Sequence, residues 1–407
     1  MQIIYAQEPL PDRVVKTLFL AGPTPRTAAV RSWRPEALRM LADRGYDGTV
    51  LCPEDRAIGG MHGDWDAQLE WERNAMERAD CILFWVPRDL TVTRSILSGE
   101  SVEDALCFPA FTTNIEFGRW EDSGKVVLGF PPNAPNTRYL GAYADRYRIP
   151  RADTLRDTIA HALAVVGDGA DRTGGECTVP LHIWRTESFQ TWYRAQVAAR
   201  NRLDGARVVW TFRVGPNRSV VFFWALHADV YVASEDRNKT NEIVLARPDI
   251  ATVVCFHRDP VRDYRDGNVL GNEVVLVREF RTPAMTADGF IREVPGGSSW
   301  KPTGDPAALA ADELHEETGL AVDAARVRMI GTRQVSGTLS AHRAHVFAVE
   351  LTEEELTWLR SQAGVAHGVM TDTEQTYVEV RTVGELLKDP LTDWANLGMI
   401  FAALCGE

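Results

Sequence analysis

At 407 residues the chain is too long for one typical hydrophobic core, so two domains are expected. Its 45% hydrophobic and 25% charged content suits a globular protein in water. The formal charge of −13 argues against a general binder of nucleic-acid polymers, which needs a basic face to displace counterions.

The opening MQIIYAQEPLPDRVVK has no apolar run behind a basic segment, as a signal peptide would. The longest apolar run, SVVFFWALHADVYVA, is broken by His227 and Asp229 and is too short to span a bilayer. A cytoplasmic protein without membrane segments is the expectation. Cys52, Cys81, Cys107, Cys177, Cys255 and Cys405 include no C-x-x-C pair, which favours reduced, buried thiols over disulfides or a zinc site.

In residues 1–166, short β-rich runs (TLFLAG, TVLCP, CILFWVP, KVVLGFP) alternate with segments of helical period. Such alternation implies βαβ crossovers and a doubly wound, mainly parallel sheet, with informative residues just beyond the strands. In DWDAQLEWERNAMERAD, Asp64 can cap a helix whose apolar stripe runs through Trp65, Leu69, Met76 and Ala79. Glu72 falls on that stripe. It either has a task there or pairs with Arg73 or Arg78 at the helix edge. Glu116, in TTNIEFGRW, has the capping-box spacing from Thr113; equally, a first-turn glutamate is held ionised by the helix dipole, as a nucleophile toward a sugar carbon must be.

LFLAGPTPR, SWRPEAL, WERNAMERADCILFWVP and TNIEFGRW together resemble the nucleoside 2-deoxyribosyltransferase-like group over about residues 17–165. The resemblance implies that Glu116 is the nucleophile that attacks the anomeric carbon and expels the base. It places Glu72 near the sugar hydroxyls, where relatives commonly carry aspartate, and Gly22 and Thr24 on the pocket floor. Asp80 would support the start of a strand. A pair of carboxylates suits N-glycosidic cleavage because the transition state is cationic. The Glu72 exchange and a long insertion between WVPRD and TTNIE leave transferase and hydrolase both open.

Residues 167–176 combine glycine density and charge without apolar periodicity, which is a linker composition. Residues 177–407 then read as a helix, ESFQTWYRAQVAARNRL, and a series of strands, including NEIVLARPD, IATVVCF, NEVVLVREF, RAHVFAVEL and TYVEVRTV. Two helices break the series, one at 305–318 and a terminal DWANLGMIFAALC. A mixed α+β or α/β/α layout is expected.

In DPAALAADELHEETGLAV, Asp305 and Pro306 mark a helix start and Gly319 its left-handed stop. Ala307, Ala310, Ala311, Leu314 and Thr318 form the packed stripe, leaving Glu313, Glu316 and Glu317 within an arc of roughly 100°. At about 6 Å and an effective dielectric near 20, each carboxylate pair repels by roughly 2–3 kcal/mol. A divalent, oxygen-seeking cation such as Mg²⁺ or Mn²⁺ would reverse that repulsion. A solvated acidic face, screened by water, is the alternative.

REVPGGSSWKPTGDPAALAADELHEETGL resembles the Nudix hydrolase box, whose helix carries R-E-U-x-E-E-x-G-U; here it reads DELHEETGL, Asp312–Leu320. By that resemblance Glu313, Glu316 and Glu317 ligate metal, and Glu316 takes part in catalysis. The surrounding strands look most like the ADP-ribose and nucleoside-diphosphate-sugar branch. That branch makes Arg281 and Glu293 substrate contacts, lets Gly296 and Gly297 approach the phosphates, and makes Glu374 a catalytic base. Asp312 stands where the family has arginine, Gly304 where it has an early glutamate unless Asp305 substitutes. Ser336, Gly337 and Thr338 depart from the usual S-P-G, with His342 farther on.

Together these readings give a two-domain nucleotide-processing enzyme, a deoxyribosyltransferase-like N-terminal half joined to a Nudix sandwich. Its expected substrates are small nucleosides or nucleotides, NAD and ADP-ribose-like compounds included. A homo-oligomer is expected. The alternative is a nucleotide sensor that binds without turnover, for which Asp312 is the reason.

Overall fold

The computed structural model describes residues 1–25, 30–56, 64–96, 102–258, 269–299, 305–368 and 374–406; Gly304 lies outside them. The chain divides into two compact units, one from Met1–Trp210 and Leu226–Ile243, the other from Thr211–Ala225 and Val244–Glu407.

The first unit begins β1 (Gln2–Tyr5), β2 (Arg13–Val14), β3 (Thr17–Ala21), α1 (Arg34–Asp43), β4 (Thr49–Cys52), α2 (Trp65–Arg78) and β5 (Cys81–Trp85). An antiparallel pair, β6 (Asp89–Ile96) and β7 (Val102–Phe108), precedes α3 (Phe111–Trp120). Then come β8 (Val126–Gly129), α4 (Arg138–Tyr147), β9 (Arg151–Ala152), α5 (Leu155–Val166), β10 (Arg172–Thr173), α6 (Leu181–Trp184) and α7 (Glu187–Ala198). Strands β11 (Arg202–Val214), β12 (Val220–Val232) and β13 (Arg237–Ala246) form a three-stranded sheet.

The main sheet of this unit has the order β1-β4-β3-β5-β8-β9, every neighbouring pair parallel, as the alternating pattern predicts. TLFLA, CILFW, VVLG and TVLC are buried throughout, because helices cover both faces of the sheet. One face packs Phe19, Leu51, Ile82, Phe84 and Leu128 against Trp71 and Met76 of α2, Phe117 of α3 and Leu140 of α4. The other packs Leu18, Leu20, Val50 and Leu83 against Leu41 of α1 and Ile159 of α5. Each such side chain contributes about 1.5–3 kcal/mol on full burial. From β3 the chain passes to β4 on one side and, through α2, to β5 on the other, so the strand order reverses at β3. A crevice opens beyond the carboxyl ends of strands at such a point.

Residues 167–176 are not the linker that their composition predicts. Arg172 and Thr173 pair antiparallel with Val14 and Arg13, and the Arg172 side chain is fully buried against Asp80 at 2.5 Å. The stretch belongs to the first unit; glycines here serve close turns, and a buried ion pair fixes them.

The second unit runs β14 (Ile250–His257), β15 (Glu273–Phe280), β16 (Phe290–Glu293), β17 (Gly296–Gly297), α8 (Pro306–Thr318), β18 (Arg328–Gln334) and β19 (Arg343–Glu350). It ends with α9 (Glu353–Ser361), β20 (Ala366–His367), β21 (Thr376–Thr382), α10 (Val383–Leu386) and α11 (Trp394–Cys405). Its sheet has the order β18-β19-β14-β15-β21-β20, with β16 on β15 and β17 on β14. The β14–β19 pair is parallel and its other pairs are antiparallel. Ala310 and Leu314 of α8 and Leu356 and Leu359 of α9 cover one face, and Leu386, Leu397, Ile400 and Ala403 of α10 and α11 the other. That is the expected α/β/α layering.

All six cysteines are free; five are buried, and Cys405 is exposed. Among the described residues no helix is long and apolar enough to cross a membrane.

Candidate functional site

In the first unit a pocket forms where the reversal of strand order predicts one. Ala21, Gly22 and Thr24 line it from beyond β3, Pro53 from beyond β4, Arg34 from α1, Trp65, Gln68, Leu69 and Glu72 from α2, and Thr112 and Glu116 from α3. Glycine is required at 22 because a Cβ there would meet the Trp85 carbonyl oxygen at 2.2 Å. Gly22, Thr24, Glu72 and Glu116, picked from distant stretches of sequence, therefore share one pocket.

Asp64 caps α2, its carboxylate accepting from Ala67 N–H at 3.1 Å. Of the apolar stripe expected here, Met76 and Ala79 are buried, but Trp65 and Leu69 are 58% and 67% exposed and overhang the pocket, and Gln68, Trp71 and Ala75 are buried in their place. Glu72 accepts from Gln68 Nε2 at 2.6 Å, and the same amide reaches the Pro53 carbonyl at 3.3 Å. Arg73 pairs instead with Glu70, and Arg78 donates to the Pro11 carbonyl. The edge ion pair considered for Glu72 is thus made elsewhere.

The capping box expected at Thr113 and Glu116 does not form. Helix α3 begins at Phe111, behind Ala110 in the left-handed conformation (φ 55°), with no side-chain cap, and Thr113 is buried. Glu116 falls in the second turn, beyond the strongest reach of the helix dipole. Burial and the facing Glu72, to which it hydrogen-bonds, push the Glu116 carboxyl up to about 8, against a downward pull from Arg34. The pair therefore shares a proton at neutral pH, contrary to the dipole-ionised glutamate expected.

Asp80 holds the start of β3, accepting from Thr17 N–H and Oγ1, each at 2.9 Å. A larger open cleft, about 560 Å³, lies between Gln7–Asp12 and α2, but its carboxylates Glu8 and Glu77 already face Arg56 and Arg119.

In the second unit, α8 starts and stops as read: Asp305 accepts from Ala307 N–H at 3.0 Å and Gly319 is left-handed (φ 76°). The carboxylates group differently from the expected trio. Among the described residues, oxygens of Glu279, Glu317 and Glu374 lie within 4.8 Å of one another. Glu317 is 3% exposed and accepts from Gly296 N–H at 2.9 Å. Glu313 lies against Gly297, where a Cβ would come 2.6 Å from its carboxylate, and Glu316 is exposed. Burial raises Glu317 well above the ordinary range, and raises Glu279 and Glu313 to about 7, with the neighbouring carboxylates adding to each.

Arg281 forms ion pairs with both Glu279 and Glu293, each at 2.8 Å. Arg247 hydrogen-bonds Ser298 and lies over the rings of Phe222 and Phe223, and its charge pulls Glu313 down. Sequence reasoning missed Glu279, Arg34 and Arg247. The signal for Glu279 was present: on a strand of period two it shares the face of Val275, Val277 and Arg281.

Residues 15–134 match the family model of nucleoside 2-deoxyribosyltransferase-like proteins. The N-terminal region is deoxyribosyltransferase-like. The four central strands of its parallel sheet, β4, β3, β5 and β8, and its pocket beyond the carboxyl ends of β3 and β4 lie in the matched span, and Glu72 and Glu116 come from it. Such a region points to nucleoside-processing chemistry on small-molecule substrates. No curated protein matches the chain.

Proposed function

We propose that the deoxyribosyltransferase-like region cleaves or transfers the N-glycosidic bond of a nucleoside or nucleotide, with Glu116 as nucleophile and Glu72 beside the sugar hydroxyls. The observation that carries this reading is the hydrogen-bonded Glu72–Glu116 pair on the wall of one pocket. Once Glu116 has given up its proton, its carboxylate attacks the anomeric carbon. The carbon–nitrogen bond breaks and its electron pair leaves with the base, which takes up a proton from water. The sugar remains as an ester on Glu116 until water or a second base displaces it. Two carboxylates stabilise the positive charge that the sugar ring develops on the way. Trp65, exposed at the rim, offers the base an aromatic face.

A second reading concerns the other unit: Nudix-type hydrolysis of a nucleoside diphosphate-linked substrate such as ADP-ribose. It is favoured by the clustering of Glu279, Glu317 and Glu374. Three buried or half-buried carboxylates, with burial raising the proton affinity of Glu279 and Glu317, fit Mg²⁺ or Mn²⁺, which would offset their repulsion. Bound there, the cation would polarise a phosphoryl oxygen. Gly296 N–H orients Glu317, Glu374 is assigned to holding the cation instead of acting as the base, and Glu313 and Glu316 extend the acidic surface toward solvent. Arg281, held by Glu279 and Glu293, presents its guanidinium to the phosphates.

The full chain incubated with Mg²⁺ and a deoxynucleoside, NAD or ADP-ribose, with products resolved by mass, tests both readings. Base release should vanish in Glu116→Gln and persist in Glu317→Gln, and pyrophosphate cleavage should show the opposite pattern. No product from any of these by wild type, with strong ligand-induced thermal stabilisation, would instead mark a nucleotide sensor.

A further inference from the structure

Arg34 opens α1 and is 1% exposed, yet it lines the pocket that holds Glu116. Its guanidinium is spread over two strand ends. Nε donates to the Leu20 carbonyl at 3.0 Å and Nη2 to the Gly22 carbonyl at 2.8 Å, both at the end of β3. Nη1 donates to Thr24 Oγ1 at 3.0 Å and to Glu54 Oε1, just beyond β4, at 2.6 Å. Ser32 closes the network: its hydroxyl donates to the same Glu54 oxygen at 2.6 Å and accepts from Arg34 N–H at 3.1 Å.

Burying an arginine is expensive even with a partner, and the Arg34–Glu54 pair is 1% and 4% exposed. A fold that needed only to join two strand ends could use neutral groups. Here a fixed positive charge stands beside two acidic groups. Among the described residues, the charged groups that act on Glu116 are Glu72 from α2 and Arg34 from α1, and Glu54 pairs with that Arg34.

We propose that Arg34 is a positioning residue of this site: it ties the ends of β3 and β4 beneath the pocket and delivers to the Glu72–Glu116 pair a positive charge that Glu54 moderates. The inference rests on reading Glu116 as the reacting group. It adds that a neutral side chain of the same size at 34 would make that group hold its proton more tightly.

The test uses full-length protein carrying carboxyl-¹³C glutamate, with the Glu116 resonance identified by its loss in Glu116→Gln. Arg34→Met should raise the Glu116 titration midpoint by about 1 pH unit, the scale of one adjacent opposite charge. Arg34→Lys should restore most of it. Glu54→Gln keeps the hydrogen bonds but removes the opposing charge, so the midpoint should fall. A merely structural role would leave the midpoints unchanged or move Arg34→Met and Glu54→Gln in the same direction, and either result overturns the proposal. If Arg34→Met fails to fold, the Arg34→Lys and Glu54→Gln comparison decides alone. Because the readout needs no turnover, midpoints that move as stated in a protein inactive on every nucleoside would sink the enzymatic reading and leave the network standing.

Discussion

Glu72 on α2 and Glu116 on α3 hydrogen-bond to each other across the pocket, so that one proton serves two carboxyl groups. Folding raises the Glu116 carboxyl from its ordinary 4.5 to about 8. As pH rises from 4.5, the unfolded chain loses that proton first, and folded stability falls until Glu116 itself ionises near 8. Glu116→Gln removes this loss. Its melting temperature should exceed that of wild type at pH 8 and converge with it near pH 4.5, with roughly 2–4 °C for each kcal/mol relieved. A calorimetric pH series on the two proteins checks the sign.

Mg²⁺ should stabilise the second unit, and more at pH 8 than at pH 6. Burial raises Glu279 and Glu313 to about 7 and lifts Glu317 well above the ordinary carboxylate range, so protons compete with the cation at the lower pH. At a concentration of about 100 times Kd the gain is about 2.7 kcal/mol. Glu317→Gln and Glu279→Gln should each abolish most of it, whereas Asp312→Asn, on the exposed face, should not. Thermal shift with and without chelator reads the difference.

Trp65 is more than half exposed and lines the pocket, so its removal should cost ligand and not fold. Trp65→Ala should raise KM about fivefold at unchanged kcat, on the scale of about 1 kcal/mol for a lost aromatic contact. Its stability should stay within about 0.5 kcal/mol of wild type. Equal losses of stability and activity would place the indole in the core instead.

Asp80→Ala leaves Arg172 buried opposite no charge, and the Asp80 bonds to Thr17 disappear with it. Breaking a fully buried pair from one side costs about 3–5 kcal/mol. The first unit should unfold at a markedly lower denaturant concentration, in equilibrium unfolding followed by tryptophan fluorescence.

The sequence shows its local rules plainly. Asp305, Pro306 and Gly319 bound α8 as read, and the four apolar runs became the parallel strands around the pocket, because caps and continuous burial act over a few residues. What stayed hidden depends on partners far away in the chain. Nothing near residue 172 announces that its guanidinium meets a carboxylate 92 positions earlier. Helix α3 starts two residues ahead of Thr113 because Ala110 adopts a left-handed turn that its side chain does not advertise. Trp65 and Leu69 carry an apolar pattern that signals core, but they cover the rim of a pocket. Helical position alone singled out Glu72 and Glu116 but left an ordinary structural role open for each, and only a family resemblance brought them to one pocket. Glu279 escaped because a lone acidic side chain at the end of an apolar strand looks like a solvent edge until its cross-sheet neighbours are known.

The clasp between Arg172 and Asp80 has a practical side. Cutting the gene after Val166, where composition invites the cut, would leave an acid sealed in oil with its counterion thrown away. A fragment meant to report on the nucleoside pocket by itself must carry the chain on through Arg172 at the least, and the Arg172 bond to the Val179 carbonyl argues for several residues more.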